Sequence, residues 1–84
     1  MKVLSFNYKP KGSLHDNKYD LLIQHGNVEN QTISGFVISK LDKKELEEVS
    51  SGKATKEINK KAFRTFNVEK IKDLKVLQYK EFRD

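Results

Sequence analysis

The chain has no cysteine and no tryptophan, and its 84 residues include a single proline. A secreted domain of this size usually depends on disulfide bonds, so the absence of cysteine predicts a reducing, cytoplasmic setting. It also excludes thiolate metal ligands and thiol catalysis. A chain of this length forms one domain, which we assign to residues 1–84, and its hydrophobic core is thin.

Long apolar runs are missing as well. The longest are three residues, at 21–23 and 36–38, whereas a helix that crosses a membrane needs about 20. Residues 1–8 alternate between apolar and polar in the manner of a strand, and they lack the apolar block of a signal peptide. We therefore expect a soluble cytoplasmic protein without a membrane partner.

Residues that carry catalysis or bind metals form no recognisable pattern. His15 and His25 have no cysteine near them and lack the spacing of metal ligands. Residues 50–53 look like part of a phosphate-binding loop, but the upstream glycine is missing and Ala54 follows the lysine. We predict that the protein is not an enzyme and that it uses no catalytic residue, metal or cofactor.

Alternating apolar residues predict five short strands. These are residues 3–8, 19–25, 32–38, 63–68 and 74–79. Residues 9–13, which contain proline and glycine, predict a turn, and Gly26-Asn27 predicts a second turn. Gly35 lies inside the third strand and indicates a bulge or a sharp bend.

The pattern changes to a helical one at Asp42, which has Glu45 three positions later. This pair is a capping box, and Gly52 is suited to ending the helix that follows. The sequence predicts one short helix, at about 42–50, between the third and fourth strands. Residues 53–62 fit a further helix and an ordered loop equally well.

Five strands with little helix predict an α+β domain. The expected architecture is a small, strongly bent, five-stranded antiparallel sheet or an Sm/SH3-like barrel, because closure removes exposed strand edges. The predicted core consists of apolar residues on one face of each strand. They are Phe6, Leu21, Ile23, Phe36, Ile38, Phe66, Ile71 and Leu77.

Basic residues outnumber acidic ones by 17 to 12, and all but two of them are lysine. A lysine-rich composition also arises in AT-rich genomes, so the net charge of +5 does not by itself assign a partner. The cations are most concentrated in residues 53–64, where Glu57 is the one acid. The five cations there are Lys53, Lys56, Lys60, Lys61 and Arg64.

Phe66 follows this segment directly. Cations beside an aromatic ring can hold a phosphate backbone while a base stacks on the ring. The alternative is a solvated segment next to core phenylalanines. Arg64 is distinctive because a planar guanidinium suits a phosphate or carboxylate. Its alternative role is an ion pair on the sheet surface with Asp20 or Glu69.

The C-terminal third resembles the end of WYL domains. That family has an arginine, an aromatic residue two positions later, a basic residue followed by isoleucine, and then a short apolar strand. The corresponding residues here are Arg64, Phe66, Lys70-Ile71 and residues 74–77. The first strand, 6–8, with a turn at Gly12, is similar to the family's first hairpin. The resemblance covers about half of the chain.

The resemblance implies an Sm-like bent sheet that senses nucleic acid or a nucleotide-type ligand, usually within regulators. In our leading hypothesis, Arg64 clamps phosphate and Lys70 assists it. The chain departs from the family in three ways. The Trp-Tyr-Leu tripeptide is absent, lysine occupies position 70 where arginine is usual, and the 84 residues contain no helix-turn-helix.

The sequence thus predicts a small regulatory module that binds nucleic acid or an anionic ligand. Its predicted site is Arg64, Lys70, Lys53, Lys56, Lys60, Lys61 and Phe66. One alternative is a phage-type adaptor or inhibitor that docks on a host protein by pairing an exposed strand, such as the first, with the partner. Another is a self-associating domain. Leu21 and Ile23 lie on one face of the second strand and Leu22 lies on the other, so one of these two apolar faces is available for a dimer contact.

Overall fold

The structure, a computed structural model, describes residues 1–23, 28–29 and 31–79. The predicted Gly26-Asn27 turn lies outside these residues. Six strands and two helices follow one another along the chain. They are β1 (Lys2–Tyr8), β2 (Asn17–Ile23), β3 (Val28–Glu29), β4 (Thr32–Val37), α1 (Lys43–Ser50), α2 (Lys56–Ala62), β5 (Phe63–Asn67) and β6 (Lys72–Gln78). Two 3-10 turns, Ile38–Lys40 and Val68–Lys70, follow β4 and β5.

The five longer strands form an antiparallel sheet in the order β5-β4-β2-β1-β6, with the short β3 beside β4. β1 pairs with β2 over its whole length, and β4 pairs with β5 from Thr32 to Phe36. The outer strands β5 and β6 do not pair with each other within the described residues, so the sheet is open. The predicted α+β class and antiparallel five-stranded sheet are confirmed.

Alternate residues of the strands face opposite sides of the sheet, and each side has its own core. We call the side that carries Phe6, Leu21 and Phe66 the inner face. The side that carries Val3 and Leu22 is the helix face, because Val49 of α1 and Ile58 of α2 pack there. Of the predicted core, Phe6, Leu21, Ile23 and Phe66 are buried. The other four, Phe36, Ile38, Ile71 and Leu77, are half-buried and pack at the margins.

Local hydrogen bonds explain where the two helices begin. Asp42 and Glu45 form the predicted capping box: the Glu45 N–H donates to Asp42 Oδ1 at 2.7 Å, and the Asp42 N–H donates to Glu45 Oε1 at 3.0 Å. Thr55 caps α2, because its hydroxyl oxygen accepts from the Ile58 N–H at 3.2 Å. The second helix covers Lys56–Ala62 and buries Ile58 and Ala62, so the segment that fitted helix and loop equally well is largely helical.

Gly35 does not mark a bulge, because the pairing of β4 with β5 runs through it without a shift. It permits a close approach of β2 instead. A Cβ at position 35 would lie 2.6 Å from the Leu22 carbonyl oxygen. The shift in register lies elsewhere, where β1 between Ser5 and Asn7 faces β6. Asp73 adopts a φ of 54° there.

Two surfaces predicted for partners are used inside the domain. β1 lies between β2 and β6, so the prediction that the first strand is free to pair with a partner is wrong. Leu22 is 1% exposed and packs with Val49 and Ile58. The two apolar sides of β2 therefore serve two internal cores. No helix within the described ranges is long and apolar enough to span a membrane.

Candidate anion-binding groove

A groove of about 360 Å³ opens at one end of the inner face. Its walls come from the loop after β1, from β2, from the end of β4 with the 3-10 turn that follows, and from β5. The lining residues are Tyr8, Pro10, Lys11, Tyr19, Val37, Lys40, Arg64, Thr65 and Phe66. Strand pairing places them together, because β1 and β2 form a hairpin and β4 pairs with both β2 and β5.

The floor of the groove is aromatic. The ring centroid of Phe66 lies 5.1 Å from that of Tyr8 and 5.0 Å from that of Tyr19, and the two tyrosine centroids are 6.3 Å apart. Phe66 also contacts Phe6 below it, at 5.1 Å. Phe66 is buried and the two tyrosines are half-buried. These edge-to-face and tilted contacts stabilise the floor beyond the area they bury.

The rim is cationic. Lys11, Lys40 and Arg64 line the groove, and none of the lining residues in the described chain is acidic. Lys11 lies in a tight turn in which the Ser13 N–H donates to the Pro10 carbonyl at 3.0 Å. Lys40 ends the 3-10 turn that the Leu41 N–H closes on Ile38 at 3.0 Å. Within the described residues, neither lysine has a carboxylate at ion-pair distance.

The Arg64 guanidinium bonds to the backbone at the end of α2. Nη1 donates to the carbonyl of Phe63 at 2.8 Å and to that of Lys60 at 3.4 Å, while Nη2 donates to the Lys61 carbonyl at 3.0 Å. Carbonyls in the last turn of a helix lack partners within the helix, and a cation there also interacts favourably with the helix dipole. Arg64 thus caps α2, and within the described residues it forms no ion pair with Asp20 or Glu69.

Three of the cations predicted as ligand contacts in residues 53–61 lie elsewhere. Lys56 and Lys60 are four residues apart on the exposed side of α2, because Ile58 and Ala62 face the core. Lys53 is exposed in the loop before α2. None of the three lines the groove.

Lys61 is engaged in an ion pair that joins the two helices. Its Nζ lies 2.5 Å from Glu45 Oε1. This hydrogen bond from Lys61, together with the one from the Asp42 backbone, lowers the pKa of Glu45. Acidic residues of α1 offset the lysines of α2 more generally, since residues 41–62 contain six lysines and five acids. The helix layer is therefore close to neutral.

Lys70 ends the 3-10 turn Val68–Lys70, where it is exposed, and it does not line the groove. The groove thus includes Arg64 and Phe66 of the predicted site and leaves the other five residues outside. Lys11 and Lys40 were missed. The turn predicted after the strand that carries Tyr8 could have placed Lys11 near that tyrosine. The position of Lys40 depends on a 3-10 turn that has no sequence signature.

A second, smaller pocket lies on the helix face, between β1, β2 and β6. It holds about 190 Å³, and Ser5, Phe6, Asn7, Lys18, Asp73 and Lys75 line it. The Asn7 side-chain amide donates to Asp73 Oδ2 at 3.1 Å across this pocket. Its charges are mixed and it has little aromatic surface, so it points to no class of ligand as clearly as the groove does.

Comparison of the chain with protein-family models, with curated proteins and with solved structures finds no match. The chemistry of the groove is therefore the basis on which a function can be proposed.

Proposed function

We propose that this domain is a binding module for nucleic acid or another anionic, nucleotide-type ligand, and that the groove is its site. One observation carries the proposal. Three cations and three aromatic residues line the same groove, and the described lining contains no carboxylate. Such a surface attracts phosphate and offers aromatic rings to a base, which is how proteins bind single strands without reading their sequence.

The size of the groove favours a single unstacked nucleotide over duplex DNA. About 360 Å³ lies at the lower end of the range for small-molecule sites. A base inside a duplex cannot reach a floor that lies behind a rim of lysines. Stacking of one base on an aromatic side chain contributes about 1–3 kcal/mol. The exposed lysines outside the groove, Lys53, Lys56, Lys60 and Lys70, add long-range attraction to an anionic ligand.

We also propose that the sheet is bent towards an Sm-like barrel. The contact of Phe66 on β5 with Phe6 on β1 supports this, because two strands separate β5 from β1 in the sheet. The proposed relationship to WYL domains, which usually serve in regulators, agrees with this shape and with the ligand class. It does not carry the argument for either.

The primary test is the binding of labelled oligonucleotides over a range of salt concentrations. We expect a single strand to bind more tightly than the duplex of the same sequence. Several phosphate contacts predict that log K falls with log salt with a slope of a few units. Folded protein that binds neither form at low salt would contradict the proposal.

A matched pair of variants separates the groove from general charge. The double substitutions Lys11→Glu/Lys40→Glu and Lys56→Glu/Lys60→Glu each lower the net charge by four units. If the groove is the site, the first pair lowers the affinity at least about tenfold more than the second. Equal losses would assign the binding to overall charge.

A second candidate function, an adaptor that docks on another protein, has one observation in its favour. Leu74 and Val76 on the outer strand β6 are 48% and 54% exposed. An outer strand can accept an extended segment of a partner. Lys72, Lys75 and the backbone turn at Asp73 oppose this, since lysines and bulges protect a strand edge from pairing. A complex that resists nuclease and high salt, and that Val76→Lys abolishes, would favour the adaptor.

A further inference from the structure

We infer that Lys11 and Lys40 hold the anionic group of the ligand and that Arg64 is a positioning residue. In this assignment the Arg64 guanidinium fixes the end of α2 and, with it, the wall of the groove that β5 forms. The inference rests on the proposed function, because it divides roles within the same groove.

The hydrogen bonds of Arg64 are the first reason. A guanidinium has five N–H donors in a fixed fork. Three donor contacts already go to the carbonyls of Lys60, Lys61 and Phe63, and both terminal nitrogens take part. An end-on bidentate grip on a phosphate uses one N–H of each terminal nitrogen, and Nη1 already directs both of its N–H groups to carbonyls, so this grip would require Arg64 to leave one of them. The α2 end would then lose part of its cap.

The freedom of the two lysines is the second reason. An ammonium group binds phosphate as a point charge with three rotatable donors, and it needs no fixed fork. Lys11 and Lys40 are both exposed, and neither forms an ion pair in the part of the chain that the structure describes. An incoming phosphate therefore does not have to displace a carboxylate from either lysine.

The backbone around each lysine is the third reason. Gly12, with a φ of 87°, and the bond from the Ser13 N–H to the Pro10 carbonyl shape the turn that carries Lys11. Lys40 closes a 3-10 turn directly after β4. The two lysines thus approach the groove from two different connections of the sheet, with the aromatic floor as their common neighbour.

Arg64 links the helix layer to this site. It lies on β5 opposite Gly35, two residues before Phe66 of the floor, and its guanidinium is bound to the end of α2. Loss of the guanidinium frees both the helix end and the strand wall. The affinity for the ligand then falls because the groove changes shape, while the number of phosphates that the protein contacts stays the same.

The test compares single substitutions that remove one positive charge each. These are Lys11→Gln, Lys40→Gln, Arg64→Gln and, as the control on the outer side of α2, Lys60→Gln. Binding of a 5′-phosphorylated single-stranded oligonucleotide is measured over a range of salt concentrations. We expect Lys11→Gln and Lys40→Gln each to reduce the slope of log K against log salt by about one. Arg64→Gln should give the same slope as the Lys60→Gln control.

Amide hydrogen exchange without ligand supplies the second measurement. We expect Arg64→Gln to speed exchange at the C-terminal end of α2, at Lys60 to Phe63, while β1 and β2 keep their protection. Arg64→Lys keeps the charge and loses the fork, so it should show the same faster exchange with an unchanged slope. Normal α2 protection in Arg64→Gln, together with a slope reduced by about one, would make Arg64 a phosphate contact and overturn the assignment.

The two proposals fail in different ways. If the unsubstituted protein binds no oligonucleotide at low salt, the proposed function falls and the roles of the two lysines fall with it. If it binds and neither lysine substitution changes the slope, the function stands and the assignment of the anion to Lys11 and Lys40 is overturned.

Discussion

Phe66 on β5 lies 5.0 Å from Tyr19 on β2, measured between ring centroids, although β4 separates these strands in the sheet. The two rings thus meet on the inner face across the strand that lies between them. The contact has two effects at once. It closes the inner core above Phe6, and it forms the floor of the groove together with Tyr8. Phe66 therefore contributes both to the inner core and to the groove that we propose as the binding site.

Replacement of Phe66 by alanine should lower the free energy of unfolding by about 3–5 kcal/mol, because the ring is buried among three other aromatic rings. Urea denaturation followed by circular dichroism measures the loss. Phe63→Ala is the control on the same strand, since Phe63 is 42% exposed and should cost less. Equal losses in the two variants would contradict the burial of Phe66.

Replacement of Gly35 by alanine should destabilise the domain by about 1–3 kcal/mol through overpacking. The new Cβ would lie 2.6 Å from the Leu22 carbonyl oxygen and 2.8 Å from Ile23 Cγ2, and the carbonyl belongs to a paired strand that cannot move away easily. Gly12→Asn serves as the control, because position 12 is open and asparagine tolerates its positive φ. An alanine variant as stable as the parent would show that β2 and β4 are farther apart than this 2.6 Å approach requires.

Glu45 should make the stability of the helix layer depend on pH. The hydrogen bond from Lys61 holds the pKa of Glu45 below its ordinary value of 4.5. A carboxyl with a lower pKa in the folded state favours folding above about pH 4.5, and this contribution is lost as the pH falls through the lowered pKa. The effect is small because the pair is near the surface.

The matched variants for this prediction are Lys61→Met and Lys60→Met, which remove the same charge. Urea unfolding between about pH 6 and pH 3 should show less loss of stability on acidification in Lys61→Met than in the parent. Lys60→Met should follow the parent. A parallel pH dependence in all three proteins would mean that Glu45 gains nothing from Lys61.

Leu22→Ala tests whether the second apolar side of β2 is a core or a dimer face. Leu22 is 1% exposed beneath the two helices. Its truncation should cost about 2–5 kcal/mol, and the loss should be the same at low and high protein concentration. Sedimentation and urea unfolding at several concentrations measure both. A loss that grows on dilution would indicate that Leu22 supports an association between chains.

The parts of the fold that local chemistry determines were predictable. The side chains of Asp42 and Glu45 each accept a hydrogen bond from the other residue's backbone N–H. The capping box can therefore be predicted from a sequence of four residues. The second helix was harder to predict, because Thr55 alone caps it and Ile58 and Ala62 are its only core residues. Period-two alternation predicted the sheet. It did not predict the helix face, since a helix covers Leu22 only after the whole chain is folded.

The site was less predictable for a physical reason. The partners of Arg64 are main-chain carbonyls, which every residue has and no sequence pattern marks. Lys40 reaches the groove through a 3-10 turn after β4. A cluster of lysines along the chain at 53–61 indicated charge. Lys53 lies in the loop before α2, Lys56 and Lys60 lie on the exposed side of α2, and Lys61 pairs with Glu45.

The connection between β1 and β2 contributes Pro10 and Lys11 to the groove and no residue to either core. Residues in this connection can therefore vary, and the loop can lengthen, at little cost to the sheet. Under the proposed function, remodelling of that one loop would change the ligand preference while the aromatic floor stays as it is. Selection for recognition and selection for folding would then act on different stretches of the gene.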